Sequence, residues 1–169
     1  RLCRHYREDF GLDTRIVRFH NIFGPLGSFE GGREKSPAAF CRKIALAHDN
    51  DEIEVWGDGR QTRSYCYVDD CVEGLHRLMR ASYVEPLNLG QDRLVSVDEL
   101  VDLVAEVAGK SVKKRHDLSR PQGVRGRNSD NTRLRRVLGW VPQTSLERGL
   151  ELTYRWIRDQ LHAQGRIPG

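Results

Sequence analysis

Phe10-Gly11-Leu12-Asp13-Thr14-Arg15-Ile16-Val17-Arg18-Phe19-His20-Asn21-Ile22-Phe23-Gly24-Pro25 is the stretch whose reading decides the fold. Just before it, Leu2, Tyr6 and Phe10 recur at helical spacing, and Gly11 is suited to stop a helix in the left-handed conformation. Thr14 to Phe19 reads as a short strand, and Asn21 to Pro25 as the turn-rich segment that ends it. A helix followed by a buried strand and a loop is the grammar of an α/β fold, whose ligands sit outside the carboxyl ends of strands.

The same grammar continues downstream. Residues 26–36 form a glycine-rich charged loop, after which Ser36 is expected as N-cap and Pro37 in the first turn of a helix reaching Leu46. Glu52 to Trp56 alternates as a strand and stops at Gly57-Asp58-Gly59, a hairpin-type turn, with Arg63 to Val68 as the expected return strand. Asp69 and Asp70 open a helix from Cys71 to about Arg80. Leu87-Asn88-Leu89-Gly90 is a short strand, and Ser96 and Glu99 form a near capping box for a helix over 97–107. Residues 118–131 read as irregular, and helices over about 132–138 and 145–163 follow.

Composition narrows the class. The 169 residues are 38% hydrophobic and 31% charged, which suits one soluble globular domain. No apolar run approaches the ~18 residues needed to span a bilayer, so no membrane association is expected. The net charge of +4 is dispersed, which fits a small phosphate-bearing ligand better than a nucleic acid. Cys3, Cys41, Cys66 and Cys71 form no C-x-x-C pair, and the histidines lack zinc-finger spacing. Reduced structural thiols in a cytoplasmic protein, and no metal, are the expectation. The first residues carry neither an initiator Met nor an apolar signal core, so the chain reads as an excerpt of a longer protein. No G-x-G-x-x-G follows a strand, and no tyrosine has Lys four residues on.

Arg18-Phe19-His20-Asn21-Ile22-Phe23-Gly24-Pro25, Val55-Trp56-Gly57-Asp58-Gly59, Arg63 to Asp70, Leu87 to Gly90 and Leu138-Gly139-Trp140-Val141-Pro142 occur here in an ordered series. That series resembles the C-terminal half of extended short-chain dehydrogenases/reductases of the NAD-dependent epimerase/dehydratase family, over about residues 1–163. Gly31 to Lys43 and Gly123 to Asn131 are similar to the branch of that family that epimerises GDP-mannose at C3 and C5. The resemblance implies residues 1–25 as the tail of an NAD-binding Rossmann domain. Residues 26–169 are then mainly a nucleotide-sugar-binding domain, with short segments returning to the Rossmann sheet. It implies NAD as cofactor, GDP-mannose or a related nucleotide sugar as substrate, and a homodimer of the full-length protein. A 4-epimerase, a dehydratase or a non-catalytic sugar-nucleotide binder of the same fold remains the alternative.

By that resemblance Lys35 is one acid/base group, the second lying outside this sequence. A lysine works as a base only after losing its proton, which nearby cations favour. Composition alone leaves Lys35 a solvated loop lysine. Arg63 and Arg127 are the candidates for the diphosphate, with Arg125 as rival to Arg127. Asn21, Glu34, Ser36, Lys43, Gln61 and Thr62 complete the expected substrate contacts. Phe19, His20 and Ile22 are expected beside the nicotinamide, His20 being either an acid/base or a packed imidazole. Trp56 suits either a stacked base or the core.

Overall fold

The computed structural model describes residues 1–168. Helices α1 (Leu2–Phe10), α2 (Ser36–Leu46), α3 (Val68–Arg80), α4 (Val97–Ala108), α5 (Thr132–Leu138) and α6 (Leu146–Ala163) alternate with nine short strands. These are β1 (Val17–Phe19), β2 (Ile22–Phe23), β3 (Glu52–Trp56), β4 (Thr62–Arg63), β5 (Cys66–Tyr67), β6 (Leu87–Leu89), β7 (Val95–Ser96), β8 (Lys113–Asp117) and β9 (Gly126–Arg127). The pairs β1–β6, β2–β5 and β3–β8 are all parallel, so the fold is α/β as read from the sequence.

Local chemistry explains the helix ends. Gly11, Gly109 and Gly139 stop α1, α4 and α5 in the left-handed conformation. Ser96 and Ser145 accept from the backbone N–H three residues on and start α4 and α6. Helix α2 departs from expectation. It begins at Ser36, with extended Lys35 as its N-cap and no side-chain cap bond. Pro37 still lies within the first turn, where its missing N–H costs nothing because those N–H groups have no intrahelical partner.

The expected hairpin does not form. A turn follows Trp56, but the chain does not return beside β3. β3 pairs instead with β8, from Glu52 opposite Lys113 to Trp56 opposite Asp117. The segment 62–68 divides: β4 joins a three-stranded sheet in the order β7-β4-β9, β5 pairs with β2, and Val68 already belongs to α3. β8 and β9 both fall where no strand was expected.

Two buried clusters hold this together. The larger joins α2, α4 and α6 through Ile44, Leu100, Val104, Leu150 and Ile157. Inward-facing Ile53 and Val55 of β3 pack onto it. The smaller gathers Leu78, Leu87, Leu89 and Leu134 around β6. Between the two, Asn21 takes a positive φ of 44° and turns the chain from β1 into β2. Its side-chain amide donates to the Ser64 carbonyl at 2.8 Å.

Candidate functional site

A cavity of about 440 Å³ opens between α2, the outward side of β3, and β4. Glu34, Ser36, Lys43, Gln61 and Arg63 line it, joined by Arg42, Glu54, Trp56, Pro121 and Gln122. Five of the expected substrate residues thus face one hollow. The spacing along α2 explains part of this: Ala39, Arg42 and Lys43 share one face, and Phe40 adds an apolar patch.

Each side chain is held. The Lys43 ammonium donates to the Glu54 carbonyl at 2.9 Å and lies over the Phe40 ring. Burial lowers its pKa, and the nearby Glu54 charge opposes that shift. The Gln61 amide donates to the Trp56 carbonyl at 2.9 Å. Trp56 is 49% exposed, with the Arg120 guanidinium over its ring, so the core reading of this tryptophan is set aside.

The mixed sheet supplies the central arrangement. Parallel pairing of β4 with β9 sets Thr62 opposite Gly126 and Arg63 opposite Arg127. The Ser64 N–H donates to the Arg127 carbonyl and fixes that register. Side chains at registered positions of parallel neighbours leave the sheet on the same side. Among the described residues neither guanidinium forms a salt bridge, whereas the Arg125 side chain reaches the Asp58 carboxylate at 3.0 Å. The rivalry between Arg125 and Arg127 therefore has a structural counterpart: one is neutralised, the other is not.

His20 follows β1, its side chain wedged against Gly90. Burial, and then the charge of Arg127, lowers its pKa. Its Nδ1 is buried without a partner. The imidazole is thus packed, with one ring nitrogen unsatisfied. Phe19 is 48% exposed and Ile22 is half-buried against the smaller cluster. Lys35 stands between Glu34 and Ser36 at the α2 N-terminus, exposed and outside the cavity wall.

Among the described residues, five buried side-chain atoms lack a hydrogen-bond partner: His20 Nδ1, Glu34 Oε2, Gln61 Oε1, Ser64 Oγ and Tyr65 Oη. All lie in the segments that carry the candidate residues. Ser64 and Tyr65 escaped the sequence reading, since nothing in a strand-like Arg-Ser-Tyr marks its hydroxyls as buried. All four cysteines are free. Burial pushes the Cys41 and Cys66 thiols up to about 12, which makes them inert. Among the described residues there is no His/Cys/Asp/Glu group suited to a metal ion, and no helix is long and apolar enough to cross a membrane.

Residues 1–90 match the model of the NAD dependent epimerase/dehydratase family. The chain belongs to that family. Over 163 residues, 96% of this chain, it is 48% identical to GDP-mannose 3,5-epimerase of Arabidopsis thaliana. It is 38% identical over 157 residues to dTDP-4-dehydro-6-deoxy-D-allose reductase of a Streptomyces species. These alignments cover 42% and 47% of the two relatives, so this epimerase/dehydratase chain spans less than half of their length. Among solved structures, UDP-glucose 4-epimerase of Thermotoga maritima with UDP-glucose superimposes with a TM-score of 0.84 at 30% identity. That match covers 94% of this chain and 50% of the other.

Proposed function

We propose that the full-length protein is a NAD-dependent isomerase that binds GDP-mannose and inverts its hexose at C3 and C5, giving GDP-L-galactose. The observation that carries the reading is the Arg63–Arg127 register at the edge of the cavity, whose wall includes Arg63. Two unneutralised guanidiniums on one side of a sheet repel each other, and a diphosphate of charge −2 relieves that repulsion bidentately. Of the residues with an unpartnered buried atom, Glu34 and Gln61 line the cavity, and a buried polar atom left without a hydrogen bond costs about 1–3 kcal/mol. The 48% identity to a GDP-mannose 3,5-epimerase supports the choice of nucleotide and sugar.

In this reading residues 1–25 are the tail of the Rossmann domain and the rest mainly binds substrate, within a homodimer. Phe19, with its half-exposed ring, and His20, with its unpartnered Nδ1, stand at the end of β1 and are the residues that would hold a nicotinamide. Such a cofactor would supply reversible hydride transfer at C4 of the hexose, and a ketone at C4 would acidify the C3 and C5 hydrogens. Arg63 and Arg127 hold the diphosphate, Lys43, Gln61 and Thr62 the nucleoside end, and Asn21, Glu34 and Ser36 the hexose hydroxyls. Lys35 moves a proton at one face of the ring, and a group outside this chain serves the other. This chain alone therefore supplies binding and one acid/base residue, and does not turn over.

One observation favours a second reading. The exposed Lys35 lies outside the cavity wall, and a nucleotide-sugar 4-epimerase would need the arginines but not Lys35. Incubating the full-length protein with NAD and GDP-mannose in heavy water separates the two. Deuterium at C3 and C5, lost in Lys35→Ala with GDP-mannose binding retained, supports the first. Inversion at C4 without deuterium at C3 or C5 overturns it in favour of the second.

A further inference from the structure

Residues 29–34 form an arch before α2, and the glycines at its crown have little beside them. Gly31 and Gly32 take φ values of 85° and 81°, and no atom outside their immediate neighbours lies within 4 Å of where a Cβ would be on either. The shape of the arch therefore depends on its two feet. One side chain on α2 holds both. Arg42 Nε donates to the Phe29 carbonyl at 2.9 Å, and its Nη2 donates to Glu34 Oε1 at 3.3 Å. The pair is shielded, at 22% side-chain exposure for Arg42 and 12% for Glu34. Phe29 is further braced by an edge-on contact with Trp156, and Glu30 by Arg166. The Glu34 foot has Arg42 as its side-chain partner, and it leads directly into Lys35.

We infer that Arg42 is a positioning residue: its planar guanidinium staples the two feet of the 29–34 arch and so sets where Glu34 and Lys35 stand relative to the bound hexose. The inference rests on the reading of Lys35 as an acid/base group. A guanidinium fork is required because the acceptors are a carbonyl and a carboxylate at opposite ends of the arch. An ammonium at the end of a lysine keeps the charge but not the fork. Glu34 Oε1 accepts from Arg42, and the residue so held lines the cavity beside Ser36. Backbone N–H groups of Glu34 and Gly32, and then Arg42, hold the Glu34 carboxyl below the ordinary value, which keeps it an acceptor.

Arg42→Gln and Arg42→Lys in the full-length protein test this by two independent readouts. Amide exchange over residues 29–35 should quicken at least about tenfold in both variants, with α4 and α6 unchanged. The turnover number should fall about ten- to a hundredfold with KM and the dissociation constant of GDP within about threefold, as for a displaced reacting group. Unchanged exchange in the arch overturns the staple whatever the activity does. A GDP affinity that falls in step with turnover would make Arg42 a ligand contact instead, and full rescue by Arg42→Lys would reduce its role to charge. If the wild-type protein neither binds GDP nor labels its sugar from heavy water, the functional reading fails, while the exchange measurement still decides the staple.

Discussion

Removing Arg127 should weaken ligand binding and strengthen the free protein, and that opposition of signs separates a binding cation from a structural one. In the free protein Arg63 and Arg127 stand on adjacent registered positions. Neighbouring strands lie about 4.8 Å apart. Two unit charges about 5 Å apart in water repel by roughly 0.8 kcal/mol. Screening at physiological salt, with a Debye length of about 8 Å, roughly halves that. Arg127→Ala should therefore raise unfolding stability by a few tenths of a kcal/mol. The β4–β9 pairing survives the substitution, because Arg127 contributes its carbonyl there. With GDP bound the balance reverses, since a charged hydrogen bond of about 1.5–3 kcal/mol is lost and affinity falls about 10- to 150-fold. Titration calorimetry with GDP and urea unfolding of the full-length protein measure the two halves. Arg125→Ala is the control: its exposed bridge to Asp58 should leave the GDP constant within about twofold. An unchanged GDP constant in Arg127→Ala, or a stability loss matching the loss of affinity, would refute the reasoning.

Other consequences are checked more simply. A Cβ on Gly90 would meet His20 Cβ at 2.5 Å and Ser129 Cβ at 3.1 Å, so Gly90→Ala should cost about 1–3 kcal/mol in denaturant unfolding through overpacking. Lys110→Met removes three hydrogen bonds to the carbonyls of Ile44, Ala45 and Ala47 at the end of α2; a loss of about 1–3 kcal/mol is expected, read from the unfolding midpoint. At pH 8 a thiol reagent should label Cys3 at once, and Cys41, Cys66 and Cys71 only after denaturation, since burial raises the pKa of all three.

Helices α1 and α4 were legible because they carry their own signals: the glycine stop of α1, and the serine cap and apolar face of α4. The sheets were less so. β8 is Lys-Lys-Arg-His-Asp, with no apolar alternation to betray it; three of its residues are exposed, and half-buried Lys114 is held by polar bonds to Asp98 and Asp102 instead of apolar packing. Its identity comes from the backbone of β3, a partner that local sequence does not reveal, whereas Gly57-Asp58-Gly59 by itself reads as a hairpin turn. The site divided in the same way. Glu34, Ser36, Lys43, Gln61 and Arg63 were readable because short motifs hold them, and the cavity gathers them. Arg42 was not, since its task depends on Phe29 and Glu34 both turning back toward α2. The sequence preferred Arg127 to Arg125, but it could not show the Arg125–Asp58 ion pair, which depends on how the turn after β3 meets the segment before β9.

The β9 strand is only two residues long, at the end of a long irregular segment, and it delivers Arg127 to a partner 64 positions earlier in the chain (127 minus 63). Beyond that strand the arm is tied to the body by the Arg125–Asp58 ion pair and by bonds from Asn128 and Ser129 to Asp92 and Gln91. An anion held by both arginines would add one more tie between arm and body. Its occupancy should then appear as added amide protection across residues 118–131, beyond the few atoms in contact.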